Sequence, residues 1–141
     1  MRKLICEIFD EIENAKTKKD RLAILKFNDR YDLRCVLRGT YHPGIKYIVE
    51  SVPYYKPSDA PHGLSGNTII NEIKRVYLFE ENNPKRPTNL SKEKTEKILI
   101  QILESLEAKE ANVFMNMLLK KQKVKGLDYK LVKEAYSDLL P

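Results

Sequence analysis

The stretch Lys120-Lys121-Gln122-Lys123-Val124-Lys125-Gly126-Leu127-Asp128-Tyr129-Lys130-Leu131-Val132-Lys133 carries six lysines against one acid, Asp128. It reads as the end of one helix, a short basic turn and the start of another. Gly126 is able to take the left-handed conformation that ends a helix. Asp128 has the chemistry of an N-cap, with Leu131, Val132 and Ala135 as the buried side of the helix after it. A helix N-terminus beside clustered lysines is a physical device for phosphate. Free N–H groups and the positive end of the dipole favour an anion, and the ammonium groups add charge. A solvated hairpin between two packing helices satisfies the same pattern.

Outward from this stretch the pattern stays helical. Upstream, Ala111, Phe114, Met115, Leu118 and Leu119 predict a helix over 108–121. Leu90-Ser91 supplies a staple position and an N-cap for a helix to about Leu106, burying Ile98, Leu99, Ile102 and Leu103. Asn67-Thr68 opens a helix to about Phe79, with Ile69, Ile70, Ile73, Val76 and Tyr77 inward. At the start, Leu4, Ile5, Ile8, Phe9 and Ile12 predict a helix over 3–14 whose acids Glu7, Asp10, Glu11 and Glu13 form a solvated face. Thr17 with Asp20 resembles a capping box for a helix to about Phe27, with Leu22, Ile24 and Leu25 inward. Leu33, Val36 and Leu37 mark a third helix over about Tyr31 to Gly39. Pro43 suits the first turn of a short helix with Ile45, Ile48 and Val49 inward. Residues 51–66 and 80–89 are proline-bearing internal loops. In the first, Tyr54 and Tyr55 either stack on a ligand or pin the loop to its own domain. The tail after Tyr136 has Leu139 and Leu140 to bury. The prediction is one compact all-α domain over 1–141, of about seven to eight helices.

The chain is basic, with 26 Lys and Arg against 20 Asp and Glu, a net charge of +6. That permits nucleic acid, an acidic partner or an anionic surface. A second basic stretch has eight basic residues from Lys16 to Arg38 against Asp20, Asp29 and Asp32. The turn Arg38-Gly39-Thr40-Tyr41-His42-Pro43-Gly44-Ile45-Lys46-Tyr47 has two readings: N–H groups presented to a phosphate, or a tight inter-helix turn that needs no ligand. Cys6 and Cys35 sit among apolar residues and suit reduced core thiols. The start Met1-Arg2-Lys3-Leu4 runs into acids too early for a signal peptide, and no run has the length of a membrane span. The expectation is a cytoplasmic protein without membrane contact.

No cysteine/histidine metal constellation is present, and His42 and His62 stand apart. There is no Gly-rich phosphate loop with Lys-Ser/Thr and no Gly-x-Ser-x-Gly. Cys35 has no evident base. These residues predict no catalytic group, no metal and no cofactor.

The order of blocks resembles a known family. Met1 to about Pro53 is similar to the start of the T-even-type bacteriophage ATP-dependent DNA ligases. The shared features are an amphipathic first helix, a Thr-Lys-Lys turn with Ala23-Ile24-Leu25-Lys26, and Leu33 to Leu37. Thr40-Tyr41, Gly44-Ile45-Lys46-Tyr47-Ile48 and Pro53 follow. Further on, Asn67 to Tyr77, the helix before Leu106, Leu118-Leu119-Lys120-Lys121 and Leu139-Leu140-Pro141 resemble the same family's N-terminal helical domain. That domain binds DNA in the minor groove across a nick and holds phosphates through helix ends and Lys/Arg side chains. The family's Lys-x-Asp-Gly nucleotidyltransferase motif is absent here, and Lys125-Gly126-Leu127-Asp128 has the wrong order.

The resemblance implies a non-catalytic, sequence-independent module for the phosphate backbone of double-stranded DNA, with nick or end preference, acting as a monomer in the host cytoplasm if phage-encoded. It implies phosphate contacts at Arg38, Thr40, His42, Gly44 and Lys46, and at Lys120, Lys121, Lys123, Lys125, Gly126, Tyr129 and Lys130. Two alternatives stand beside it. One is an interaction module for a replication, repair or transcription protein, with Tyr54 and Tyr55 as anchors. The other is the detached DNA-binding part of a ligase that works with a separate catalytic chain.

Overall fold

Between Ala108 and Leu118 seven residues are buried, and they cover more than half of the helix surface: Glu110, Ala111, Val113, Phe114, Met115, Met117 and Leu118, with Lys109 and Asn112 left on the exposed side. So wide a buried face belongs in the middle of a domain, and this helix (α6) packs against three others. The computed structural model describes residues 3–141. Met1 and Arg2, which open the segment read as no signal peptide, lie outside the described residues.

The chain runs α1 Ile5–Asn14, α2 Lys18–Phe27, α3 Tyr31–Tyr41, α4 Ile69–Glu72, a 3-10 segment Ile73–Phe79, α5 Lys92–Ser105, α6 Ala108–Leu118 and α7 Tyr129–Ala135. Around α6 stand α1, α3 and α5, while α2 is packed between α1 and α7. The architecture is all-α. Among the described residues there is no strand, only one antiparallel bridge between Tyr47 and Glu80.

Local chemistry sets three of the helix starts. Thr17 Oγ1 accepts from Asp20 N at 3.1 Å, Ser91 Oγ from Lys94 N at 3.2 Å, and Asp128 Oδ1 from Leu131 N at 2.9 Å. Each satisfies one of the free N–H groups of a first turn. The start of α1 is satisfied from far away. The buried Glu110 carboxylate on α6 accepts from Ile5 N at 3.3 Å and Cys6 N at 3.0 Å. It thereby fixes the crossing of α1 over α6.

Burial pushes the Glu110 carboxyl above the ordinary range, against the two N–H bonds that lower it. Its folded pKa therefore lies above its unfolded value. Keeping it ionised costs stability near neutral pH, and that cost is relieved as pH falls through the folded pKa. Glu110→Ala leaves two buried N–H groups without an acceptor and should cost about 2–4 kcal/mol. Glu110→Gln retains one acceptor and should lose roughly half as much, together with the stability gained on acidification. Urea unfolding of the three proteins near neutral pH and at about pH 5 reads both effects; an unchanged acid response in Glu110→Gln would assign the pH term elsewhere.

Four expected helices differ. The short helix after Pro43 does not form. Pro43-Gly44 makes a turn, and residues 46–48 run extended because Ile48 N donates to Phe79 O at 2.8 Å and Glu81 N to Lys46 O at 2.7 Å. The expected helix from 67 to 79 is α-helical for only four residues and then tightens to 3-10. Buried Glu72 takes an inward position and pairs with Arg75 at the three-residue spacing that a 3-10 turn eclipses, and Ile70 is left exposed. The helix expected to reach 121 ends at Leu118, and α3 runs two residues past Gly39. Gly39 sits mid-packing because a Cβ there would lie 2.6 Å from the Tyr47 hydroxyl and 2.8 Å from Met117 Sδ.

The loop 51–66 is strapped to the end of α5. Lys56 N donates to Glu104 Oε2 at 2.8 Å, Gly63 N to Glu107 Oε2 at 3.0 Å, and Ser65 Oγ to Ser105 O at 3.1 Å. His62 Nδ1 bonds Glu107 Oε1, and Glu7 lies 3.7 Å from its other nitrogen, so both carboxylates favour the imidazolium. The loop 80–89 is held by Arg86, which donates to Leu78 O at 2.9 Å and Thr95 Oγ1 at 3.2 Å.

Candidate functional site

The end of α6 is closed without glycine. Lys120 takes φ +64, its N–H donates to Met117 O at 3.0 Å, and Lys121 N donates to Asn116 O at 3.0 Å. This is the bond pair of a Schellman end, with a lysine in the position that glycine usually holds. Gly126, expected to be that terminator, instead makes a second turn at φ +87.

The left-handed turn aims the Lys120 side chain back across the domain. Its ammonium donates to Gly39 O at 2.9 Å and His42 O at 2.8 Å, carbonyls at the end of α3 that lie 81 and 78 positions away in the chain. A cation on the last carbonyls of a helix is favoured by their orphan acceptors and by the dipole. The same ammonium lies 5.6 Å from the centre of the Tyr47 ring. Burial, with Arg38 nearby, lowers its pKa. Two further links tie the same segments. Gln122 Nε2 donates to Thr40 Oγ1 at 3.3 Å, and the Tyr41 hydroxyl to Leu127 O at 3.4 Å. Burial, and Asp128 behind it, push the Tyr41 phenol up to about 12, so it stays a donor.

The two turns singled out from the sequence are therefore tied to each other. Arg38 and Lys46 from the first turn, and Lys121, Lys123, Lys125 and Lys130 from the second, have exposed side chains. Other expected contacts are corrected. Thr40 is 1% exposed, and its hydroxyl donates to Val36 O at 2.7 Å, which leaves it out of reach of a phosphate. Gly44 N donates to His42 Nδ1 at 3.0 Å, so both groups close their own turn. Lys120 is a clamp between the turns. The Gly126 backbone is covered by Arg21, whose Nε would lie 2.4 Å from a Cβ there. The Tyr129 hydroxyl donates to Pro141 O and holds the tail. The start of α7 is not the anion site expected there, because the Asp128 carboxylate accepts from Leu131 N and places negative charge at that helix end. Lys123 lines a cleft with Asp10 and Glu13, which offset it, and Lys125 N donates to Glu13 Oε1 at 3.3 Å.

The second basic stretch largely dissolves into structure. Arg21 donates to Ile12 O and Ala15 O at the end of α1. Arg30 grips Asp32 with bonds of 2.8 and 2.7 Å. Arg34 pairs with Asp29 and stacks 4.5 Å from the Tyr136 ring centre. Sequence reasoning missed two exposed lysines, Lys74 and Lys85, which stand beside Arg38 around a shared groove. Their only signal was a pair of adjacent cations at each end of 74–86, Lys74-Arg75 and Lys85-Arg86, in segments read as helix and loop.

Neither cysteine is set up as a nucleophile. Burial, with Glu110 adding to it, pushes the Cys6 thiol up to about 12, and burial raises Cys35 as well. Among the described residues no group of three or more His, Cys, Asp and Glu stands where it would hold a metal ion. Among them, too, no helix is long and apolar enough to cross a membrane.

No curated protein matches the chain. A family model described as a family of unknown function, DUF6433, matches residues 8–125. That span runs from the first helix to the second basic turn and includes the Lys120 clamp, and the chain belongs to the DUF6433 family.

Proposed function

We propose that this protein is a non-catalytic, sequence-independent binder of double-stranded DNA that grips phosphates with the joined basic turns. The observation that supports the reading is the Lys120 clamp, which ties together the two turns that carry the exposed Arg38, Lys46 and Lys121, segments far apart in the chain. Fixed backbone and exposed cations suit phosphate, which needs charge at the right spacing and no base-edge donor pattern. The block order similar to the helical DNA-binding domain of phage ATP-dependent ligases supports the same reading, and with it a preference for nicks or ends. The corrections narrow the gripping set to those three cations, with Lys125 and Lys130 at the margin.

Fluorescence anisotropy with one labelled duplex, intact and nicked, tests this. With about four to six phosphate contacts, the logarithm of affinity should fall against the logarithm of salt with a slope of roughly −4 to −5 between about 50 and 200 mM. Tighter binding to the nicked duplex would add the nick preference. A flat salt response, or no binding at low salt, would defeat the reading.

One observation favours a second reading, a protein-interaction module. Tyr54 is 95% exposed and stands in the same loop as exposed Val52 and Leu64. Tyr55 packs on the core and is no anchor. Capture of a partner protein from nuclease-treated extract, lost in Tyr54→Ala, would support this reading over the first.

A further inference from the structure

Between α3 and the 3-10 segment lies a groove of about 490 Å³. Ile45, Ile73, Val76 and Met117 give it apolar walls, and Tyr47 and Tyr77 contribute two half-buried rings. Its rim carries Arg38, Lys74 and Lys85, all exposed, against a single acid, Glu80, which Asn83 contacts at 3.4 Å. A volume of this order suits a small planar ligand. Aromatic rings under a cationic rim are the combination that holds single-stranded nucleic acid: bases stack on the rings and phosphates meet the charges.

The groove is continuous with the basic surface. Arg38 belongs to both, and the Lys120 clamp lies over Tyr47. Lys120 occupies one side of the Tyr47 ring, which leaves Tyr77 as the ring for a ligand to stack on. Paired bases are stacked in the duplex and have no face to offer; an unpaired base at a gap, bulge or frayed end has one.

We propose that this groove receives one unpaired nucleotide of a DNA strand, with its base on Tyr77 and its phosphates toward Arg38, Lys74 and Lys85. The inference rests on the DNA reading above and names the substrate feature that the surface selects.

The probe is a duplex carrying one unpaired 2-aminopurine, compared with the same duplex fully paired. The full chain should bind the unpaired form roughly five- to a hundredfold more tightly, the range of one base–aromatic stack, and should quench its fluorescence. Tyr77→Ala should remove both the quenching and the preference, while affinity for the paired duplex and its salt slope stay unchanged. Tyr77→Phe should keep both. If Tyr77→Ala proves unstable in a thermal melt, the exposed pair Lys74→Glu and Lys85→Glu replaces it and should also abolish the preference. Equal affinity for the two duplexes, or quenching that survives these changes, would overturn the groove site while a steep salt slope kept the backbone reading. Absence of any DNA binding would overturn both.

Discussion

Reversing charge at Arg38, Lys46 and Lys121 together is expected to weaken binding to any duplex by roughly a hundredfold or more at low salt and to flatten the salt slope by about 3. Each of the three side chains is exposed, and none has an ion-pair partner among the described residues, so substitution breaks no internal ion pair. Lost affinity would then belong to lost phosphate contacts, and a thermal melt should be little changed. The loss should be the same for unrelated sequences, because the proposed contacts are to phosphates and read no base edge. The matched control is Lys18→Glu, Lys92→Glu and Lys109→Glu, which removes the same charge from other faces. That control shifts affinity only through net charge and should flatten the slope far less. Equal effects from the two triples would mean a diffuse attraction and no built surface.

Phe114→Ala should be the most destabilising single change, at about 3–5 kcal/mol. Phe114 is fully buried on α6, and its ring meets that of Phe79 edge to face at 6.4 Å and 85°. The contact joins the central helix to the end of the 3-10 segment, whose last carbonyl, Phe79 O, holds Ile48 N. Truncation loses the transfer energy of the ring, leaves a cavity and removes an aromatic pair. Against a total stability of about 5–15 kcal/mol, the melting temperature should fall by roughly 10–20 °C. Phe114→Leu retains most of the apolar volume and should cost less than half as much. DNA affinity of Phe114→Ala should fall with its folded fraction and recover at lower temperature, since Phe114 holds the frame and touches no ligand. An alanine variant as stable as the parent would mean that the α6 environment collapses onto the space more completely than a close-packed core allows.

Charge runs alone were a poor guide to which cations stay exposed. Lys16 to Arg38 looked as basic as the second turn, yet Arg21, Arg30 and Arg34 each end on carbonyls or carboxylates of the same domain. Arginine's planar fork suits such internal grips. Lysines at 74 and 85 drew no notice, and the structure sets both around one groove with Arg38.

What the sequence by itself determined is the helical content and where helices begin. The apolar spacing of α1, α3, α5 and α6 and the caps Thr17, Ser91 and Asp128 are local signals, decided within four residues of the groups they satisfy. Helix ends were less legible, because Lys120 closes α6 in a conformation that its residue type does not favour. Only the tertiary structure decided which cations are free. A lysine bound to Gly39 O and His42 O reads in sequence like its exposed neighbour Lys121, since a backbone carbonyl leaves no mark on residue identity. The same holds for Glu110 on the start of α1. These partners meet through packing of α6 against α1 and α3, and burial then settles which charges face water and which hold the fold.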